Sequence, residues 1–320
     1  MTWKEAFFAS PGPDSIRQAG ILSLKGLCMG SADVIPGVSG GTIALITGIY
    51  EDLIQALKSL DISTVKKLLT LDLKGAVASI HIRFLLSLFA GIGIAIISLA
   101  RLMNFLINHH PVLTWSFFFG LIAASILVVS RKVVSWSLII GISLGVGIAV
   151  AAFIVNLIPV ATPETLWFIF LCGIIAICAM ILPGISGAFI LLILGKYEFI
   201  TATLKNPFLS QNFIIIIVFC LGCLIGLISF SRLLNYFLKN FHNLTMAFLT
   251  GLMIGAMPKI WPWKQILATQ IIRGKPHITW GSNIIPETMN TAVWMAIGLA
   301  IIGFVAVMAI ERLARSEQSD

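Results

Sequence analysis

The sequence predicts an all-α polytopic integral membrane protein of two inverted-topology repeats. Each repeat is expected to hold a re-entrant helical hairpin broken at Pro-Gly-x-Ser-Gly and about three transmembrane helices. Three observations predict this. The chain of 320 residues is 58% hydrophobic and only 11% charged, with a mean hydropathy of +1.03, whereas soluble domains carry about 25% charged residues. Apolar segments of about 20 residues, enough to cross a bilayer, recur along its length. Residues 25–58, KGLCMGSADVIPGVSGGTIALITGIYEDLIQALK, are as apolar as a span yet broken by Pro36-Gly37-Val38-Ser39-Gly40-Gly41, and much of the segment returns at residues 183–205.

Taken in order, residues 1–20 form a polar tail and an amphipathic start, without the continuous apolar stretch of a cleaved signal peptide. The first broken element covers residues 21–58. Residues 61–83 set Lys66, Lys67, Lys74 and Arg83 among apolar residues at helical spacing, which predicts an interfacial helix rather than a span. Spans are expected at 84–108, 112–130 and 134–158. The second broken element covers 165–205, and spans resume at 212–239, 243–260 and 288–311. Trp261, Trp263 and Trp280 suit a long interfacial loop before the last span. Cys28, Cys172, Cys178, Cys220 and Cys223 fall in apolar segments, where thiols pack. The five histidines lack metal-ligand spacing, so no metal, disulfide or cofactor is expected.

The repeat defines the organisation. Residues 36–58 and 183–205 share 12 identities in 23 positions at an offset of 147. Residues 97–121 and 228–252 share 10 in 25 at an offset of 131, including Arg101/Arg232 and Asn104/Asn235. The first half therefore carries 16 extra residues, which match the interfacial helix. The expected units are residues 1–160 and 161–320. If each broken element dips in and returns on one side, each half makes three crossings and the second half is inverted. One face then receives Lys4, Arg17, Lys58, Lys66, Lys67, Lys74, Arg83, Arg131, Lys132, Lys239, Arg312 and Arg315; the other receives Lys205, Lys259, Lys264, Arg273 and Lys275. That excess places both termini in the cytoplasm. The net charge of +8 is thus explained by cytoplasmic loops rather than by nucleic acid.

The repeated breaks carry the candidate chemistry. Proline forces the preceding residue out of the α region, and Ser39 and Ser186 are expected N-caps for the helices that follow. Non-helical backbone inside a bilayer is tolerated only where it is buried or lines a polar cavity. Two breaks related by inversion would bring two helix N-termini to the midplane, where amide groups and positive dipole ends suit an anion. Gly37, Ser39, Gly40, Gly41, Thr42, Gly184, Ser186 and Gly187 are the candidate positions, with close helix packing as the alternative use of small residues. Arg101 and Arg232 lie inside apolar spans, where a charge costs at least ~2.5–3.5 kcal/mol. Arginine suits bidentate phosphate binding; the alternative is snorkelling to the interface. Inversion puts Arg101 toward the outside and Arg232 toward the cytoplasm, and Asn104 and Asn235 share their helix faces. Asp33 has no acidic twin, since Met180 holds its place. It is a candidate for a coupling proton, and equally for pairing with Lys25 or capping a helix. Glu51 and Glu198 are candidates for gating, or for ion pairs with Lys58 and Lys205 two turns on.

With these residues assembled, the chain resembles the bacterial polyprenyl-phosphate translocases. The likeness rests on KGLCMGSADVIPGVSGGTIALITGIYEDLI and ILPGISGAFILLILGKYE and extends over nearly the whole chain, the Arg101 and Arg232 blocks included. The resemblance implies a lipid flippase, not an enzyme. Such a protein returns undecaprenyl phosphate from the outer to the inner leaflet of the bacterial cytoplasmic membrane, for reuse in peptidoglycan and surface-glycan synthesis. It implies use of an ion gradient, with the choice between a proton and Na+ left open, and membrane lipid as partner with no nucleic acid; alternating access between the inverted halves is the mechanism expected from the repeat. Two other readings share parts of the pattern. An undecaprenyl-pyrophosphate phosphatase also has Pro-Gly-x-Ser loops, but carries Arg after Ser where this chain has Gly40 and Gly187, and needs an acid cluster this sequence lacks. A transporter of a small soluble anion would share the helix-terminus site but not a lipid-facing opening. Oligomeric state and lipid chain length stay open.

Overall fold

The structure, a computed structural model, describes residues 1–33, 39–60, 62–157, 159–160, 162–205, 209–272 and 275–316. The chain opens with α1 (Trp3–Ala9), started by a capping box between Thr2 and Glu5. It continues through α2 (Ile16–Asp33), α3 (Gly40–Ile46), α4 (Tyr50–Lys58), α5 (Ile62–Leu69), α6 (Leu73–Ser79), α7 (Ile82–His109), α8 (Pro111–Ser130) and α9 (Leu138–Val155). Then come α10 (Leu166–Ile181), α11 (Gly187–Ile193), α12 (Tyr197–Lys205), α13 (Ser210–Asn240) and α14 (His242–Ala256), which a 3-10 turn (Met257–Ile260) extends. Strands β1 (Lys264–Ile272) and β2 (Lys275–Asn283) precede α15 (Thr291–Ser316).

Among the described residues, α7, α8, α9, α13 and α15 are long and apolar enough to cross a membrane. Helix α14 has 15 residues, or about 22 Å at 1.5 Å per residue, against a hydrocarbon core of ~30 Å. It compensates by position: Met246, Ala247, Leu249, Leu252 and Met253 are wholly buried, so α14 lies at the centre with little contact with lipid. Helix α3 is buried along its whole length.

Positions equivalent in the two halves of the sequence adopt matching backbone. Ser39 (φ −115°, ψ 129°) and Ser186 (φ −94°, ψ 130°) start α3 and α11 alike. Gly48 (φ 74°) and Gly195 (φ 63°) make the left-handed turns into α4 and α12, a region closed to most side chains. His110 (φ −133°, ψ 53°) and Phe241 (φ −136°, ψ 46°) are single-residue hinges, between α7 and α8 and between α13 and α14.

Helix pairing follows the same pattern. The most extensive pairs are α2 with α7, α10 with α13, α9 with α14 and α8 with α15. Glycine sets the spacing in each, because an added Cβ would fall within 2.2–2.5 Å of a carbonyl oxygen: Gly26 on Leu88, Gly173 on Phe219, Gly147 on Phe248. Backbones that meet this closely gain dispersion contact in a solvent that offers no hydrophobic drive. The contacts advance together on both helices, 23 with 87 and 30 with 92, 170 with 222 and 177 with 226, so α2 runs parallel to α7 and α10 to α13. Helices α9 and α14 are parallel by the same test, from 143 with 244 to 151 with 255.

Three expectations are corrected. Residues 61–83 are not one interfacial helix: α5 and α6 are separated at Leu71, whose φ of 59° ends any continuous helix. Arg83 belongs to α7 and is buried. Its guanidinium donates to the Ser10 and Pro13 carbonyls at 2.7 and 3.0 Å and pairs with Asp14 at 3.1 Å, fastening the N-terminal segment to the start of α7. The segment before α15 holds an antiparallel β-hairpin rather than only a loop, with Lys264 opposite Asn283 and Ile272 opposite Lys275.

The packing gives a direct test. Replacing Gly120, whose Cβ would stand 1.8 Å from the Ala300 carbonyl oxygen, with Val is expected to separate α8 from α15 and destabilise the protein by ~1–3 kcal/mol. Gly141→Val, at a position with nothing within 4 Å, is expected to leave thermal unfolding in detergent unchanged.

Candidate functional site: the junction of the two breaks

The two broken elements meet, and side chains of the first satisfy backbone groups that the second leaves open. Ser39 sits at the start of α3, where its Oγ accepts from the Gly41 amide at 3.2 Å and donates to the Leu182 carbonyl at 3.2 Å. The Gly184 amide donates to Thr42 Oγ1 at 3.1 Å, and Tyr50 OH donates to the Ile181 carbonyl at 3.1 Å. Those carbonyls are the C-terminal end of α10, which its own helix cannot satisfy. Ser39, Thr42 and Tyr50 are all buried, so these bonds stand where water is scarce and an unmade one is costly.

The N-terminus of α3 is saturated from within. Asp33, the last residue of α2, accepts the Gly40 amide on Oδ1 at 2.8 Å, Ser39 takes Gly41, and the Thr42 amide reaches the Ser39 carbonyl at 3.0 Å. Of the alternatives for Asp33, the structure builds the helix cap: a carboxylate fills the place an external anion would take at a positive helix end. Gly40 leaves room for that cap, since a Cβ would stand 2.5 Å from Asp33 Oδ2 and push the carboxylate aside. Gly37 lies outside the described residues.

The second break differs. Ser186 begins α11 but its side chain makes no cap hydrogen bond, which corrects the expectation of two equivalent caps. The two breaks differ further at the non-identical positions of the repeat. Met180 stands where Asp33 does and brings no carboxylate; Phe189 stands where Thr42 does and brings no hydroxyl. Tyr197, the twin of buried Tyr50, is 39% exposed. Gly187 packs so that a Cβ would lie 2.6 Å from the Ala176 carbonyl oxygen, and Gly184 packs on Met253 of α14.

A cavity of about 600 Å³ adjoins this junction. It is walled by Phe230, Leu233, Leu234 and Phe237 of α13, by Phe241, Leu244, Thr245, Phe248 and Leu249 around α14, by Ser143 of α9, and by Leu182, whose carbonyl holds Ser39. Leu233, Phe237 and Phe241 are 50%, 42% and 44% exposed, so its mouth is on the apolar outer surface of the bundle.

The remaining candidates are dispersed. Arg232 is half-buried on α13, eight residues before its end, and has no hydrogen-bond or ion-pair partner among the described residues. Asn235 is buried one turn on. The side chains of Arg101 and Asn104 lie outside the described residues, as does that of Lys205. Glu51 does not pair with Lys58; its Oε1 stands 3.6 Å from His242 Nε2 at the start of α14. Local spacing could not reveal a partner so distant in sequence. Sequence reasoning also missed Lys196, which is 1% exposed: its Nζ donates to the Thr162 carbonyl at 2.7 Å and lies beside the rings of Phe168 and Phe199.

Residues 29–276 match the family model described as undecaprenyl phosphate translocase-like. The chain is 44% identical over 248 residues, 78% of its length and 79% of the relative's, to a polyprenyl-phosphate transporter of Vibrio cholerae. It is 28% identical over 254 residues, 75% of its length and 85% of the relative's, to a polyprenyl-phosphate transporter of Staphylococcus aureus. No solved structure matches the chain.

The unequal breaks lead to unequal mutational costs. Ser39→Ala removes a cap and an inter-element bond and is expected to cost ~1–3 kcal/mol, whereas Ser186→Ala is expected to stay within about 0.5 kcal/mol of wild type. Thermal unfolding of both variants in the same detergent checks this; equal losses would contradict the geometry.

Proposed function

The chain belongs to the undecaprenyl phosphate translocase-like family, and from that premise we propose that it flips undecaprenyl phosphate from the outer to the inner leaflet of the bacterial cytoplasmic membrane. It is a multi-pass membrane protein and a transporter of polyprenyl phosphate rather than an enzyme, in line with the relatives' names. The observation that carries the reading is the apolar cavity, which joins the lipid-facing surface to the junction of the breaks at Leu182. A carrier of small soluble anions has no use for such a side opening. A lipid whose phosphate crosses through protein while its tail stays in hydrocarbon requires one.

Alternating access is the proposed mechanism, with each broken element re-entrant and the halves inverted. The parallel packing of α2 on α7 and α10 on α13 supports re-entrance, because an element that crossed fully would deliver the next helix from the opposite face. The 113° bend between α11 and α12 supports it too. In this reading the closed α3 terminus, latched by Asp33, and the uncapped Ser186 terminus are the two arms of the exchange in one of its states. The phosphate moves between Ser186, Gly187 and the Ser39–Thr42 turn, displacing the Asp33 carboxylate when it reaches α3, and Arg101 and Arg232 attend the two mouths. Asp33 is then the place for a coupling proton or Na+. Protonation of the lipid phosphate, whose second pKa is near 6, also lowers the charge carried, at ~2.3 kcal/mol per charge per 100 mV. Glu51 and Glu198 are assigned to gating and both termini to the cytoplasm.

Liposomes that hold the purified protein and a fluorescent polyprenyl phosphate test the reading. Wild type is expected to move the lipid above the rate of empty vesicles under a proton or Na+ gradient. Leu233→Trp, which narrows the cavity mouth, is expected to slow it about tenfold at unchanged unfolding temperature, equivalent to ~1.4 kcal/mol on the barrier. Arg232→Ala is expected to slow it as well. No wild-type transport under any imposed gradient would overturn the assignment.

A further inference from the structure

The segment between α14 and α15 is basic on the face where positive charge is disfavoured. Residues 257–290 hold Lys259, Lys264, Arg273, Lys275 and His277 against one acid, Glu287, and in the proposed topology they face outward, against the positive-inside tendency. Two of these lysines are held against the second break. Lys259 Nζ stands 4.6 Å from the ring centroid of Phe189, in the first turn of α11 and three residues after Ser186. Lys264 Nζ donates to the Lys259 carbonyl, which brings a second ammonium to the same edge. The helix that ends at this point, α14, is the one on which Gly184 of the break packs through Met253.

Among the described residues the pair lacks a counter-charge. Neither lysine is paired with a carboxylate among the described residues. Both side chains remain exposed, but protein crowding around them lowers both ammonium groups, and the charge of Lys259 adds to the effect on Lys264, which is held down to about 8. The α8–α9 turn is built differently: there Lys132 lies in the field of the Glu51 carboxylate. Like charges kept close to one another, one of them over an aromatic face, repel unless an anion joins them. Lysine is a point-charge phosphate binder, and two ammonium groups match the dianionic form of a phosphomonoester better than a singly charged diester.

We propose that Lys259 and Lys264 form a capture site for a lipid phosphomonoester at the outer mouth of the second break, from which the headgroup passes to Ser186. The proposal rests on the flippase reading for its purpose, but its binding chemistry is tested separately. The full-length protein in nanodiscs of neutral lipid is titrated calorimetrically with farnesyl phosphate, with farnesol and with inorganic phosphate. Wild type is expected to bind farnesyl phosphate well above the other two. Lys259→Gln with Lys264→Gln is expected to weaken that binding at least about tenfold at an unchanged unfolding temperature, and Lys259→Arg with Lys264→Arg to retain it. Unchanged affinity in the glutamine double variant would overturn the proposal, as would failure of wild type to bind farnesyl phosphate. Equal affinity for inorganic phosphate would overturn the lipid assignment. Wild type that binds farnesyl phosphate but moves no polyprenyl phosphate in liposomes would instead remove the flippase reading and leave the capture site standing.

Discussion

A helix broken inside an apolar solvent must hand its open backbone groups to something, and in this protein the second break hands them to side chains of the first, which closes its own terminus. The Ser39 hydroxyl and the Tyr50 phenol cover the end of α10, and the Thr42 hydroxyl takes the Gly184 amide. The rest of the architecture serves that contact. Helix α3 must be wholly enclosed for its hydroxyls to reach across. The short α14 must stand at the centre to back Gly184, and glycine must line the long helices so that they approach closely enough to surround the junction. Removing one of these hydroxyls exposes carbonyls or amides to hydrocarbon rather than to water, which is why small side chains here carry large consequences.

The repeat supplies two similar elements, and a few substitutions make them unlike. Where the first has Asp33, Thr42 and a buried Tyr50, the second has Met180, Phe189 and an exposed Tyr197. The first terminus is therefore closed by its own carboxylate while the second is left without a cap. In the proposed cycle this asymmetry is useful: an internal anion that competes with the substrate's phosphate keeps one end shut until the charge arrives or is neutralised. The outer lysines fit the same logic, since they supply positive charge beside the terminus that lacks a built-in anion.

Much of this was legible from residue order. Hydropathy placed the long helices to within a few residues, because twenty apolar side chains in a row have few other uses, and the duplicated Pro-Gly-x-Ser-Gly marked the breaks. What the sequence did not disclose depends on tertiary partners. Arg83 reads as a surface cation beside Lys74, yet carbonyls of the N-terminal segment enclose it. Lys196 sits where Ile49 does in the first copy, and only the fold shows that the Thr162 carbonyl waits for it. Ser186 has the sequence context of Ser39 but lacks the partner geometry. The β-hairpin has a sequence signal of its own: Gly274 between two runs that carry β-branched residues, 266–272 and 276–279.

The central claim is that the two broken elements belong to halves that face opposite ways and meet in the middle. Cysteine accessibility in intact cells tests it most directly, with Ser59→Cys after α4 and Lys264→Cys after α14 placed singly in a background freed of the native cysteines. A membrane-impermeant maleimide is expected to label position 264 from outside and position 59 only after permeabilisation. Labelling of both positions from the same side would contradict the account.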